Sequence, residues 1–145
     1  MRPDPIRSMA GGFAGTAAMT MMMYFVAPMM GLNMDIAAML APLVGGSWMA
    51  GMIAHFVNGT VIFPLVYVFV LYGVLPGSPV VKGIAWGIVL WLLAQTVVMP
   101  MMGAGFFSAN MGGMMAVMGS LGGHVLYGAI LGAIAGGPER PAATV

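Results

Sequence analysis

The sequence predicts an all-α membrane protein, a polytopic four-helix bundle assembled from two tandem helical hairpins. Three observations carry that prediction. The 145-residue chain is 61% hydrophobic and 5% charged, with a mean hydropathy of +1.05, whereas soluble domains carry about 25% charged residues. Its few charges leave uncharged stretches at 8–34, 36–81 and 83–138. Residues in the first half also match residues in the second at nearly constant offsets. The whole chain, 1–145, reads as one transmembrane domain.

A spanning helix needs about 20 mainly apolar residues. On that length the stretches resolve into spans at 6–30, 48–74, 80–102 and 114–136. The apolar runs are continuous instead of alternating, which favours helices over barrel strands, because in lipid each backbone polar group must be satisfied inside the segment or in a closed barrel. Arg2 and Arg7 before the first run could begin a signal peptide, but the run is too long for one and further spans follow. Residues 36–44 are too short to cross and contain Pro42, so they are expected in the interface or slightly re-entrant. Pro28 and Pro100 are expected to end their spans, and Pro64 to kink the second. With four spans, Arg2, Arg7, Lys82 and Arg140 fall on one side. The positive-inside rule then makes both termini cytoplasmic, in the inner (cytoplasmic) membrane, with Asp35 on the outer side.

Residue n laid against n+72 pairs Gly11 with Gly83, Gly15 with Gly87 and Val26 with Val98, and pairs Pro28-Met29-Met30-Gly31 with Pro100-Met101-Met102-Gly103. This makes seven identities over the 21 positions from Gly11 to Gly31. At an offset of 69, His55 meets His124 and Gly59 meets Gly128. The repeat units are 6–75 and 80–136. Each is a hairpin of two spans, so the two enter from the same side and would be related by a pseudo-twofold axis along the membrane normal.

His55 and His124 are the only histidines. An ionisable residue inside a span is costly and marks a functional site by default. Each has a small residue four before it (Gly51, Ser120) and a glycine four after it (Gly59, Gly128). Those positions share the histidine's helix face. A protruding imidazole with space above and below suits haem b held between two helices, with Asn58 and Tyr127 as candidate hydrogen-bonding partners. The same small residues also serve close helix packing, in which the histidines would only bond a neighbouring helix.

Nineteen methionines are several times ordinary usage and gather toward the outer ends. Thioethers and imidazoles suit Cu(I). Met30 with Met34, Met111 with Met115, and Met19 with Met23 have the spacing that places two sulfurs on one helix face. Copper handling is therefore a second metal reading, set against the use of methionine as an adaptable core filler. Thr16 with Thr20 and Gln95 with Thr96 form weakly polar stripes expected to bond helix to helix.

The absence of cysteine excludes thiolate nucleophiles and cysteine-held clusters. The only carboxylates, Asp4, Asp35 and Glu139, lie outside the spans or at their edges. No buried acid–base pair, phosphate loop or zinc spacing is present, so an enzyme is the less favoured reading. A net charge of +1 without a basic patch excludes nucleic acid as a partner. The expected partners are the lipid bilayer and other membrane subunits or further copies of the chain.

Gly11-Gly12-Phe13-Ala14-Gly15-Thr16-Ala17-Ala18-Met19, His55-x-x-x-Gly59, Gly83-x-x-Trp86-Gly87 and His124-x-x-Tyr127-Gly128 together resemble the small uncharacterised four-helix membrane proteins of bacteria and archaea. The resemblance covers nearly the whole chain. It implies a fold and a location and carries no activity. The sequence-level expectation is thus an accessory or cofactor-holding membrane subunit, with one haem b between His55 and His124 as its sharpest form. A structural subunit without cofactor and a copper-handling protein are the alternatives.

Overall fold

The computed structural model describes residues 4–136, and these form helices with no strand among them. Four helices are long and apolar enough to cross a membrane: α1 (Pro5–Met30), α3 (Trp48–Leu71), α4 (Pro79–Met101) and α5 (Gly113–Gly136). The short α2 (Ile36–Leu40) lies between α1 and α3. The chain is a small multi-pass membrane protein. Arg2, Glu139 and Arg140 lie outside the described residues.

The helix starts are set by local chemistry. Asp4, Asp35, Ser47 and Ser78 each accept a backbone N–H from the first turn of the following helix, the standard relief for donors left over at a helix start. The third span ends at Met101, and the second stops at Leu71, three residues short of the expected 74. Beyond Leu71 the chain turns through Gly73 and Gly77, the latter with φ of +95°.

Proline shapes the interiors. A π-helical segment stands just before each proline within a span: Met22–Val26 before Pro28, Asn58–Ile62 before Pro64, and Ala94–Val98 before Pro100. Proline has no N–H and its ring crowds the carbonyl one turn back, and widening that turn by one residue relieves the clash. Pro28 and Pro100 stand at the ends of their helices as expected: the first runs two residues past Pro28 to Met30, as a 3-10 turn, and the third runs one residue past Pro100 to Met101. A further π segment, Tyr67–Leu71, closes α3 without a proline, and Met22–Val26 and Ala94–Val98 sit at the same 72-residue offset as Gly11 and Gly83.

Glycines set the helix crossings near the α3–α4 loop. A Cβ on Gly11 would lie 3.1 Å from the Leu131 carbonyl oxygen, and one on Gly15 2.9 Å from that of Tyr127, so α1 rests directly on the α5 backbone. Gly12 meets Pro64 and the Gly59 carbonyl of α3. Gly83 and Gly87 of α4 interlock with His124, Gly128 and Gly132 of α5, while Gly136 receives Pro79. Lipid offers no hydrophobic drive between helices, so such backbone contact, through dispersion, holds them together. Beside these crossings, Tyr67, Val68, Trp86, Leu90, Tyr127, Leu131 and Ala135 form one buried cluster. Phe13, Phe25 and Phe69 remain exposed on the lipid-facing perimeter.

Candidate functional site

The opposite half of the bundle is not closed. There α5 carries Gly119, Ser120, Gly122 and Gly123, whose small side chains leave a cavity of about 520 Å3 between α1, α3, α4 and α5. That volume lies within the roughly 300–1,000 Å3 of small-molecule pockets. Ten methionines line it: Met19, Met22, Met23, Met30, Met34, Met39, Met99, Met114, Met115 and Met118. His55 and His124 both stand on its wall, with Thr16, Asn58, Gly59, Ser120 and Tyr127.

Neighbouring atoms decide the proton position on each imidazole. Nδ1 of His124 lies 2.8 Å from the Ser120 carbonyl oxygen, which only accepts, so that nitrogen carries the hydrogen. Nε2 of His55 lies 3.0 Å from Thr20 Oγ1. The Thr20 hydroxyl already donates its single hydrogen to the Thr16 carbonyl at 2.7 Å. His55 Nε2 is therefore the donor to Thr20. In the neutral rings, the free lone pairs belong to Nδ1 of His55 and Nε2 of His124. Neither atom has a hydrogen-bond partner among the described residues, and neither is among the sealed, unpartnered polar atoms Thr60 Oγ1, Trp86 Nε1 and Gln95 Nε2. A half-buried imidazole held through one nitrogen, to a backbone carbonyl for His124 and to a hydroxyl for His55, with the other nitrogen free, is the arrangement of a ligating or accepting histidine.

The other polar groups of the wall are committed elsewhere. Thr16 donates to the Gly12 carbonyl at 2.7 Å, and Tyr127 to the Gly59 carbonyl at 2.8 Å. The two threonines of α1 thus bond their own helix, and only Thr20 also reaches α3. Gln95 points away from the cavity wall's residues to Ser108, whose hydroxyl donates to Oε1 at 2.9 Å.

α2 closes the cavity's outer margin with Ile36, Met39 and Leu40. It packs on α3 where Gly51 meets the Ala37 carbonyl, with no room for a side chain. Asp35 holds its start: the carboxylate accepts from the Tyr24 hydroxyl, the Ala38 N–H at 3.0 Å and the Trp48 indole at 3.0 Å. Burial pushes the Asp35 carboxyl up, but these donors outweigh it and hold the group below its usual range. Asp35, which the sequence places outside the spans, is part-exposed and joins α1, α2 and α3.

A model of a family of unknown function, DUF6789, matches residues 3–143. The chain belongs to that family. No curated protein and no solved structure matches it.

In this DUF6789 chain the residues singled out from sequence divide between cavity and crossings. His55, His124, Asn58, Gly59, Ser120, Tyr127, Met30, Met34 and Met115 line the cavity. Gly51 and Gly128 do not: Gly51 lies against α2, and Gly128 against the Gly83 backbone. Gly59 lines the cavity but is itself backed by the Thr16 hydroxyl. The space expected beside the histidines is thus occupied by other helices. Met111 lines a separate, smaller pocket with Met102 and Asn110. Among the described residues no group of three or more His, Asp or Glu side chains converges on a metal position. Sequence reasoning missed Thr20 as the partner of His55, although its i+4 spacing from Thr16 predicts a hydroxyl bonded to its own helix.

Proposed function

We propose that this protein is a small integral membrane protein that holds an apolar, membrane-soluble ligand in the cavity between its four spans. The observation that carries the reading is that its only two histidines line one methionine-lined cavity, each with an unpartnered ring nitrogen. A concave apolar site with a few convergent polar groups is the usual form of a ligand pocket. The histidines supply orientation and the thioethers an adaptable wall.

Haem b between the same residues is the narrower version of this reading, and the chain's arrangement does not favour it. A porphyrin edge needs an open slot beside each ligating histidine, and Gly51, Gly59 and Gly128 are filled by α2, Thr16 and α4. Nε2 of His55 is also engaged by Thr20. A soft metal ion is favoured by one observation, the gathering of ten thioethers and two imidazoles on one wall. Arg7 and Lys82 lie at the end of the bundle opposite Asp35, which supports placing that end in the cytoplasm. The recurrence of the π segments at the 72-residue offset supports two parallel hairpins as repeat units. Other subunits or further copies would then pack on the exposed apolar perimeter.

The test is organic extraction and mass spectrometry of protein purified from its own membranes. A stoichiometric apolar molecule is expected. It should be lost from Gly122→Phe, which fills the cavity where an added Cβ meets nothing closer than 3.9 Å. An empty cavity in wild type, or retention of the molecule by the filled variant, defeats the reading. An absorption spectrum with a Soret band would restore haem, and stoichiometric copper would favour the metal.

A further inference from the structure

We propose that the cavity takes a lipid-soluble hydroquinone, its two hydroxyls donating to Nδ1 of His55 and Nε2 of His124. This rests on the ligand-holding reading above and names the chemistry of the ligand.

The argument starts from what the wall has left to offer. The Thr16 hydroxyl is spent on the Gly12 carbonyl and that of Tyr127 on the Gly59 carbonyl, while the Ser120 hydroxyl, 3.5 Å from the protonated Nδ1 of His124, keeps its hydrogen. The Thr20 hydroxyl behind His55 is spent on Thr16. The N–H of each imidazole is spent as well, on Thr20 and on Ser120. Asn58 carries the remaining side-chain amide. The two histidines therefore present acceptors. A buried acceptor is satisfied by an O–H or N–H and repelled by another lone pair. At the two imidazoles a ligand that carries donors fits and one that carries only acceptors does not; the Ser120 hydroxyl and the Asn58 amide are the donors left on the wall.

The rest of the lining narrows the class. The two acceptors stand on different helices, α3 and α5, that line one cavity, which calls for a molecule with two donors. Thioether sulfur contacts aromatic rings favourably, and ten methionines surround the histidines. A volume of about 520 Å3 exceeds what one metal ion needs and suits a ring with part of an apolar tail. Two hydroxyls on an aromatic ring with a hydrocarbon chain meet each demand. The oxidised quinone has two carbonyls in their place and would set lone pair against lone pair.

The experiment compares three decyl-substituted probes on detergent-solubilised wild-type protein under argon: a hydroquinone, the corresponding benzoquinone and the hydroquinone dimethyl ether. Binding is read by intrinsic tryptophan fluorescence and by thermal shift. The hydroquinone is expected to bind at least about tenfold more tightly than either congener, the effect of one well-made hydrogen bond. His124→Leu should remove most of that preference while still binding the dimethyl ether. Equal binding of all three probes overturns the donor chemistry and leaves the ligand-holding reading standing. Binding of none of the three overturns both. Loss of hydroquinone binding on adding silver(I), a soft-ion probe, with no effect of silver(I) on the His124→Leu protein, would assign the imidazoles to a metal instead.

Discussion

The Tyr127 hydroxyl donates across 2.8 Å to the Gly59 carbonyl, joining α5 to α3. The bond falls where Pro64 withdraws a backbone donor. In the π register of Asn58–Ile62, the Phe63 N–H reaches the Asn58 carbonyl, and the next residue, which would serve Gly59, is proline. In lipid no water relieves such a carbonyl. Tyr127→Phe should therefore destabilise the bundle by about 1–3 kcal/mol, the cost of stranding a buried polar group. Reversible unfolding in mixed micelles measures it, and an unchanged midpoint would refute the pairing. Tyr67→Phe, whose hydroxyl reaches the Pro79 carbonyl at 3.2 Å, should cost less.

Gly83 and Gly128 exclude each other's side chains. A Cβ on either would overlap the other's carbonyl oxygen, and neither backbone can retreat as a flexible side chain could. Gly83→Ala or Gly128→Ala should each cost about 1–3 kcal/mol by forcing α4 from α5. Gly73→Ala serves as control, because an added Cβ there meets nothing within 4 Å. Equal effects at Gly73 and Gly83 in the same unfolding assay would show that the crossing is not this tight.

Gln95 and Ser108 are both buried, and Gln95 Oε1 accepts from Ser108 while its Nε2 has no partner. Ser108→Ala should be destabilising by about 1–3 kcal/mol, since both ends of the amide are then stranded. Adding Gln95→Leu should recover most of the loss, because removing both polar partners is far cheaper than removing one. A double-mutant cycle reads this directly. Simple additivity of the two losses would contradict it.

The Asp35 junction predicts a pH dependence. Its donors hold the folded carboxyl below its ordinary value. The ionised group therefore stabilises the folded arrangement at any pH above the unfolded value of about 3.9, and that contribution is lost as the pH falls through the lowered folded value. Trp48 donates to this carboxylate and reports on it. Indole fluorescence should stay constant from pH 7 to about 4.5 and change only below about 4. Asp35→Asn should remove the transition. A transition near neutral pH would rule Asp35 out as its source.

Much of the fold was legible because lipid imposes a simple rule: backbone must be satisfied within each span, so length and apolar composition mark crossings. The ends at Met30 and Met101 were legible too, one or two residues past Pro28 and Pro100. The π turn before each proline was not legible, because whether a helix stays regular or widens depends on what meets the freed carbonyl. The histidines were legible as the place to look, since two ionisable side chains in apolar spans stand out. Their neighbours were not. Glycine four residues away signals space in a sequence, but only packing decides whether a ligand or another helix occupies it, and at Gly51 and Gly128 a helix does.

The sequence alone determined that the chain crosses the membrane four times as helices, because its charges are too few and too segregated for any water-exposed fold. It also determined that His55 and His124 are its only candidate ring nitrogens. The tertiary structure decided that both line one cavity, which nitrogen of each is free, and that Asp35 joins three helices. Hydropathy is a sum over local residues and survives without partners. The state of a hydrogen bond depends on an atom brought from elsewhere in the chain, as Thr20 is brought to His55 across 35 residues.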